Sequence, residues 1–191
     1  MRRRDFLQVS VAIATVSSLA TSCGDSGEVG DVTTLDVPQR FALRSSAFAD
    51  GGMIPAVYTC QGGDRSPELH WDAPPSATQS LALLVDDPDA PRGSFTHWLL
   101  YNLPPDLRQL PAGITNQPQL EGGGVQGKNS FGRIGYGGPC PPSGTHRYVF
   151  RLYALDQRLD LPPGANLSQA IAAMTGHVLA VAILTGRFAK A

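Results

Sequence analysis

An imidazole and a phenol stand two residues apart at His146 and Tyr148, just after a glycine- and proline-rich run, Gly127 to Gly144. From His146 onward the side chains alternate, so His146, Tyr148, Phe150 and Leu152 share one face of a strand, and Val149, Arg151 and Tyr153 share the other. The two polar groups thus point the same way where a stiff loop ends, which suits one wall of a small anion pocket. Asp87-Pro88-Asp89-Ala90-Pro91 sets two carboxylates two residues apart in a proline-stiffened turn. They could accept hydrogen bonds from a ligand or share a proton. They could equally cap their own backbone as an Asx turn. His97 opens a strand whose alternate residues are Leu99 and Tyr101, and by that pattern alone it reads more readily as a core histidine than as a ligand.

The positioning elements are short strands between turns. Val37 to Ser45 alternates weakly, Ile54 to Cys60 reads as an extended piece, and Leu69-His70-Trp71 is a strand stub stopped by Pro74 and Pro75. Ser80 to Asp86 is nearly all apolar, as in a strand buried on both faces, and Thr96 to Leu103 follows it. Residues 106–126 form a long loop of little periodicity. Ser168 to about Thr175 reads as one helix, capped by Ser168 or Asn166 and ended by Gly176, before a last strand from Val178 to Thr185. This pattern predicts a mostly β fold, an antiparallel sandwich with one or two short peripheral helices, rather than βαβ units.

Two long segments, Asp86-Asp87-Pro88-Asp89-Ala90-Pro91-Arg92-Gly93-Ser94-Phe95-Thr96-His97-Trp98 and Gly135-Tyr136-Gly137-Gly138-Pro139-Cys140-Pro141-Pro142-Ser143-Gly144-Thr145-His146-Arg147-Tyr148, resemble the phosphatidylethanolamine-binding protein family. Within it they are most similar to the bacterial YbhB/YbcL branch, often labelled Raf kinase inhibitor-like. The likeness runs from about Val37 to the C-terminus and implies a Greek-key β-sandwich of two sheets. It also implies a ligand pocket. The D-P-D-x-P motif falls on Asp87 and Asp89, the H-[FW]-x-x-x-N motif on His97, the Y-x-G motif on Tyr136 and Gly138, and H-R-Y on His146 and Tyr148, with Cys140 in the pocket loop. On this reading loop amides, His97, His146 and Tyr148 hold a small anionic or phosphorylated group, and Asp87 orients a histidine or meets a headgroup amine. Cys140 stands where animal members carry glycine, and no long helix follows Phe188, which implies a more open pocket.

Composition narrows the rest. A net charge of −1 with 16% charged residues gives no electrostatic case for nucleic acid. No H-x-x-x-H or C-x-x-C spacing asks for a metal, no cofactor motif occurs, and no G-x-S-x-G elbow argues for an enzyme. His70 and His177 read as structural or exposed, and Trp71 and Trp98 as packing residues.

The first 23 residues address the chain. Arg2-Arg3-Arg4-Asp5-Phe6-Leu7 fits a twin-arginine signal, with Val9 to Ala20 as its apolar core. Cys23 follows a lipobox-like Leu19-Ala20-Thr21-Ser22, with Ala20 where Leu is usual, so it is the expected lipidation site, with ordinary cleavage nearby as the alternative. Residues 24–36 read as a polar tether and 37–191 as the domain. The expected address is the extracytoplasmic envelope, with Cys23 holding the membrane. There Cys60 and Cys140 are the two remaining thiols and are expected to pair. Two functions follow: a tethered module that binds a small anionic or phosphorylated ligand, or an interaction protein that inhibits a protease, kinase or other hydrolase through surface residues 104–126.

Overall fold

The structure is a computed structural model that describes Val37 and residues 41–190. The signal segment, the lipobox at Cys23 and the tether therefore lie outside the described residues. Ser80–Asp87 (β3) is buried at every position because both of its faces are covered. It sits at the centre of a five-stranded antiparallel sheet with Phe95–Leu103 (β4), Val125–Gln126 (β6), Thr145–Leu155 (β7) and Val178–Ala189 (β8), in the order β6-β4-β3-β7-β8. A smaller antiparallel sheet joins Leu43–Arg44 (β1), Leu69–Trp71 (β2) and Gln109–Leu110 (β5) in the order β1-β2-β5.

Strand alternation sorts the apolar side chains into two cores. Leu81, Leu83 and Val85 of β3 and Tyr148, Phe150 and Leu152 of β7 join Leu43, Leu69 and Leu110 of the smaller sheet. Ala82, Leu84, Tyr153 and Leu155 face the other way, beneath Ala170, Ile171 and Met174 of the α-helix Leu167–Met174 (α1). The predicted sandwich and the predicted face of His146, Tyr148, Phe150 and Leu152 are thus both present.

Three local expectations give way. Residues 54–60 were expected to be extended, but Ala56–Tyr58 is a 3-10 turn. Pro55 supplies a φ of −60°, and the Thr59 hydroxyl closes the turn on the Ala56 carbonyl at 2.9 Å. The long loop at 106–126 yields β5 and β6, each two residues long and too short to show a period. The first strand keeps only Leu43–Arg44. The helix is capped by Asn166 rather than Ser168, in a capping box: Asn166 Oδ1 accepts from Gln169 N at 3.0 Å, and Gln169 Oε1 accepts from Asn166 N at 2.9 Å.

The β3–β4 pairing slips twice. Leu81 faces Leu103 but Leu83 faces Leu100, so β4 carries an extra residue near Asn102, which has a φ of 57°. Asparagine tolerates this left-handed conformation better than most residues. Its buried side chain also accepts from Leu159 N at 2.7 Å and donates to Leu159 O at 2.8 Å. The second slip sets Val85 opposite Trp98 and Asp86 opposite Thr96, leaving His97 as the surplus residue. Regular alternation would have put His97 with Leu99 and Tyr101 under the helix. The bulge turns it to the Tyr148 side, where the two rings meet edge to face with centroids 5.1 Å apart.

Asn102→Ala should strand two backbone groups of buried Leu159 and cost about 2–3 kcal/mol, a fall in Tm of roughly 5–10 °C for a domain of this size. Asn102→Asp keeps an acceptor for Leu159 N–H but sets a buried carboxylate oxygen against the Leu159 carbonyl, so it should lose at least as much near pH 7; calorimetric melting of both variants checks the order.

Candidate functional site

Asp87 ends β3 and is buried. Its Oδ1 accepts from Asp89 N at 2.8 Å, and its Oδ2 lies 2.7 Å from His146 Nδ1. The Asx turn is therefore present, with one oxygen closing the turn and the other fixing an imidazole. With the carboxylate as acceptor, Nδ1 of His146 is the donor.

His97 is fixed from the opposite side. Its Nδ1–H donates to Gly137 O at 2.7 Å while Gly137 N donates back to His97 O at 2.9 Å. Phe95 and Phe131 complete its surroundings, with ring centroids 5.2 and 5.4 Å away. Burial pulls the pKa of His97 below the ordinary histidine value, against the opposing pull of the Gly137 carbonyl and the Asp87 carboxylate. The ring is therefore neutral near pH 7, with Nδ1 protonated and Nε2 an acceptor.

The loop at 136–142 is clamped to the turn at 58–64. Gly138 N donates to Asp64 Oδ1 at 2.6 Å, Tyr136 Oη donates to Tyr58 O at 2.7 Å, and Cys60 N donates to Pro139 O at 3.1 Å. A Cβ at Gly138 would lie 2.6 Å from Asp64 Oδ1 and 2.8 Å from Tyr58 O, so only glycine allows this approach. The expected disulfide is present: Cys60 and Cys140 are bridged with Cα atoms 5.5 Å apart. The expected nest of loop amides is not available at Gly137 and Gly138. Both N–H groups are already spent, on His97 O and on Asp64.

These pieces border a cavity of about 340 Å³. Asp87, His97 and Cys140 line it, and so do three residues that the motifs did not flag, Arg92, Phe95 and Phe131. The other expected site residues stand behind or beside the wall. His146 reaches it through Asp87, and Tyr148 through His97. Tyr136 is buried against Trp98, and Gly138 is held by Asp64. Asp89 turns outward: its Oδ2 accepts from Arg147 N and Nε, both at 2.9 Å, and its Oδ1 from Nη2 at 2.6 Å. Arg147 draws its pKa down to about 2. Arg92 follows the D-P-D-A-P run directly and Phe95 flanks His97, so both were within reach of a reading that looked one or two residues past each motif.

Tyr148 carries the one buried side-chain polar atom without a hydrogen bond among the described residues, its hydroxyl oxygen. The Cys140 backbone lies beside that oxygen without meeting it in hydrogen-bond geometry. Burial pushes the phenol well above its ordinary pKa, so it stays protonated and can donate. A larger cavity of about 760 Å³ opens among residues 107–123, but Glu121 is its only ionisable lining residue. Volume alone does not make it the site. Among the described residues no three His, Cys, Asp or Glu side chains group as a metal centre would need.

The sequence profile of the family described as phosphatidylethanolamine-binding protein matches residues 44–189. The chain belongs to this family. It is 51% identical over 148 residues to a UPF0098 protein of Methanothermobacter thermautotrophicus, an alignment that covers 78% of this chain and 98% of that one. It is 41% identical over 177 residues to a Mycobacterium tuberculosis protein named "Putative lipoprotein LppC", covering 86% of this chain and 85% of the other. The fold superposes on the crystal structure of Escherichia coli YbcL with a TM-score of 0.74, at 30% identity, over 79% of this chain and 99% of that chain. The YbcL structure is described as a member of the mammalian family of the same name, which agrees with the two packed antiparallel sheets seen here.

Because the folded pKa of His97 is lowered from the ordinary 6.5, the unfolded chain binds the proton first on acidification. Stability from this group is full above pH 6.5 and should fall as pH drops from 6.5 toward the lower folded value. Urea unfolding at several pH values should show that slope in the native protein and a flatter one in His97→Gln. An NMR titration that places the His97 midpoint at or above 6.5 would contradict it.

Proposed function

We propose that this chain is a binding protein of the cell envelope that holds a small anionic or phosphorylated ligand in the cavity walled by Asp87, His97 and Cys140. The observation that carries this reading is the cation Arg92 on the same cavity wall as His97; behind that wall the Tyr148 hydroxyl is buried and without a partner. An unmade hydrogen bond in a buried site costs about 1–3 kcal/mol, and a protonated phenol is satisfied by an acceptor such as an anionic oxygen. Arg92 on the cavity wall offers a full positive charge and has no ion pair among the described residues. The charge of Asp87 is already met by His146 and by Asp89 N–H, which lessens its repulsion of an anion.

The reading is of binding rather than turnover. The cysteine on the wall is tied up in the bridge to Cys60, and Ser94 on the same wall donates its hydroxyl to Asp86 at 2.9 Å instead of to a histidine. Envelope placement is supported by the twin-arginine-like N-terminus, by the Cys60–Cys140 bridge, which suits an oxidising compartment, and by the name of the mycobacterial relative. Lipid attachment at Cys23 then supplies the membrane contact. The alternative, an interaction protein that inhibits a protease, kinase or other hydrolase through residues 104–126, has the 760 Å³ cavity of that region in its favour. It predicts that Asp87→Ala and His97→Ala leave partner inhibition intact.

Arg92→Ala should weaken binding of inorganic phosphate about tenfold, as loss of a hydrogen bond to a charged group does, while Tyr148→Phe should hold or raise Tm because no unpaired hydroxyl remains buried. Titration by NMR chemical shift and thermal melting read the two, and unchanged phosphate affinity in Arg92→Ala removes the basis for the reading. Intact-mass analysis of protein purified from its own envelope should find an N-terminal Cys23 carrying a diacylglyceryl group; an unmodified N-terminus elsewhere would overturn the anchor.

A further inference from the structure

Phe131 is 41% exposed, yet it is not loose. The turn that carries it is fixed by Asn129, whose Oδ1 accepts from Arg133 N at 3.1 Å and whose Nδ2 donates to Gly135 O at 2.9 Å. Asn129 N also donates to Arg133 O, and Gly132 N to Asn129 O, at 2.9 and 3.0 Å. Ser130 ties the same turn to β4: its N donates to Thr96 O and its Oγ accepts from Thr96 N, both at 2.9 Å.

The ring itself is braced. Phe95 meets it near a right angle at a centroid distance of 4.7 Å, His97 does so at 5.4 Å, and the Arg133 guanidinium lies 5.3 Å from its centre. Arg133 is in turn 3.8 Å from Asp64, the residue that holds Gly138. A Cβ at Gly137 would come within 2.6 Å of two ring carbons, so the ring occupies space that only glycine leaves open.

An apolar ring left in water is unfavourable by its exposed area, and a ring held rigid in that state has already lost the rotamer freedom that binding would otherwise remove. The other large exposed apolar residues, Met53, Val57 and Ile183, line neither cavity, whereas Phe131 lines the one that holds Asp87, His97 and Arg92. Phe95, Pro91 and Pro142 continue the apolar side of that wall. One side of the cavity is thus charged or hydrogen-bonding and the other is an ordered aromatic surface, in a volume of about 340 Å³, within the range of small-ligand sites.

We propose that Phe131 is a ligand platform, and that the ligand joins its anionic group to a flat ring, as in an aryl phosphate. This rests on the anion-binding reading above and specifies the rest of the molecule. The ring of the ligand packs against Phe131 and Phe95 while its acidic group reaches Arg92 and His97.

The test is calorimetric titration of the folded protein with methyl phosphate, cyclohexyl phosphate and phenyl phosphate, repeated in Phe131→Ala and Phe131→Leu with circular dichroism to confirm the fold. Phenyl phosphate should bind about five- to tenfold more tightly than methyl phosphate, with cyclohexyl phosphate between them, the size of a specific aromatic contact. Both substitutions should erase the phenyl preference, so that phenyl and methyl phosphate bind each variant with the same affinity. Phenyl phosphate binding no tighter than cyclohexyl phosphate, or a phenyl preference that survives both substitutions, overturns the platform while leaving anion binding in place. Failure of all three phosphates to bind the native protein removes the anion-binding reading and the platform with it.

Discussion

His97 reaches the cavity because β4 holds one residue more than the stretch of β3 it pairs with. Without the slip between Val85 and Asp86, strand alternation would place the imidazole with Leu99 and Tyr101, beneath α1. With it, the ring stands against Tyr148 and is fixed by a reciprocal pair of hydrogen bonds with Gly137. That pair also sets the position of the glycine loop, and the loop then sets Cys140 and the space for Phe131. One bulge thus couples the two motifs that lie about 40 residues apart in the chain.

The charges follow a division of labour between neighbouring carboxylates. Asp86 and Asp87 are adjacent on β3 and so point to opposite faces. Asp86 pairs with Arg151 and takes a hydrogen bond from Ser94, and burial still raises its pKa. Asp87 meets His146 on the cavity side. Asp89 lies outside both, where Arg147 neutralises it in water. Of the three acids in this run, the fold gives only Asp87 to the cavity wall.

How much of this was legible in the chain depends on the range of the interaction. The apolar run at 80–86 and the alternation after His146 declared buried strands, since period and burial are local properties. The motifs named the region of the cavity for the same reason. What stayed hidden is set by pairing across the sheet. The bulge at His97 exists only in its register with β3, and the outward turn of Asp89 exists only because Arg147 of β7 is there to receive it. The fate of the loop amides was hidden too, because their acceptors, His97 O and Asp64 Oδ1, lie about 40 and more than 70 residues earlier. Phe131 has no motif around it, and its role emerges only when the ring is seen beside Phe95 and His97.

The Cys60–Cys140 bond has a topological consequence. Strands β2 to β6 all lie between the two half-cystines, so the bridge turns most of the sandwich into one covalent ring. The exposed turns at 91–93 and 121–123 lie on that ring. A protease that cuts a single peptide bond in either of them opens the ring without releasing a fragment, because the bridge still joins the two pieces.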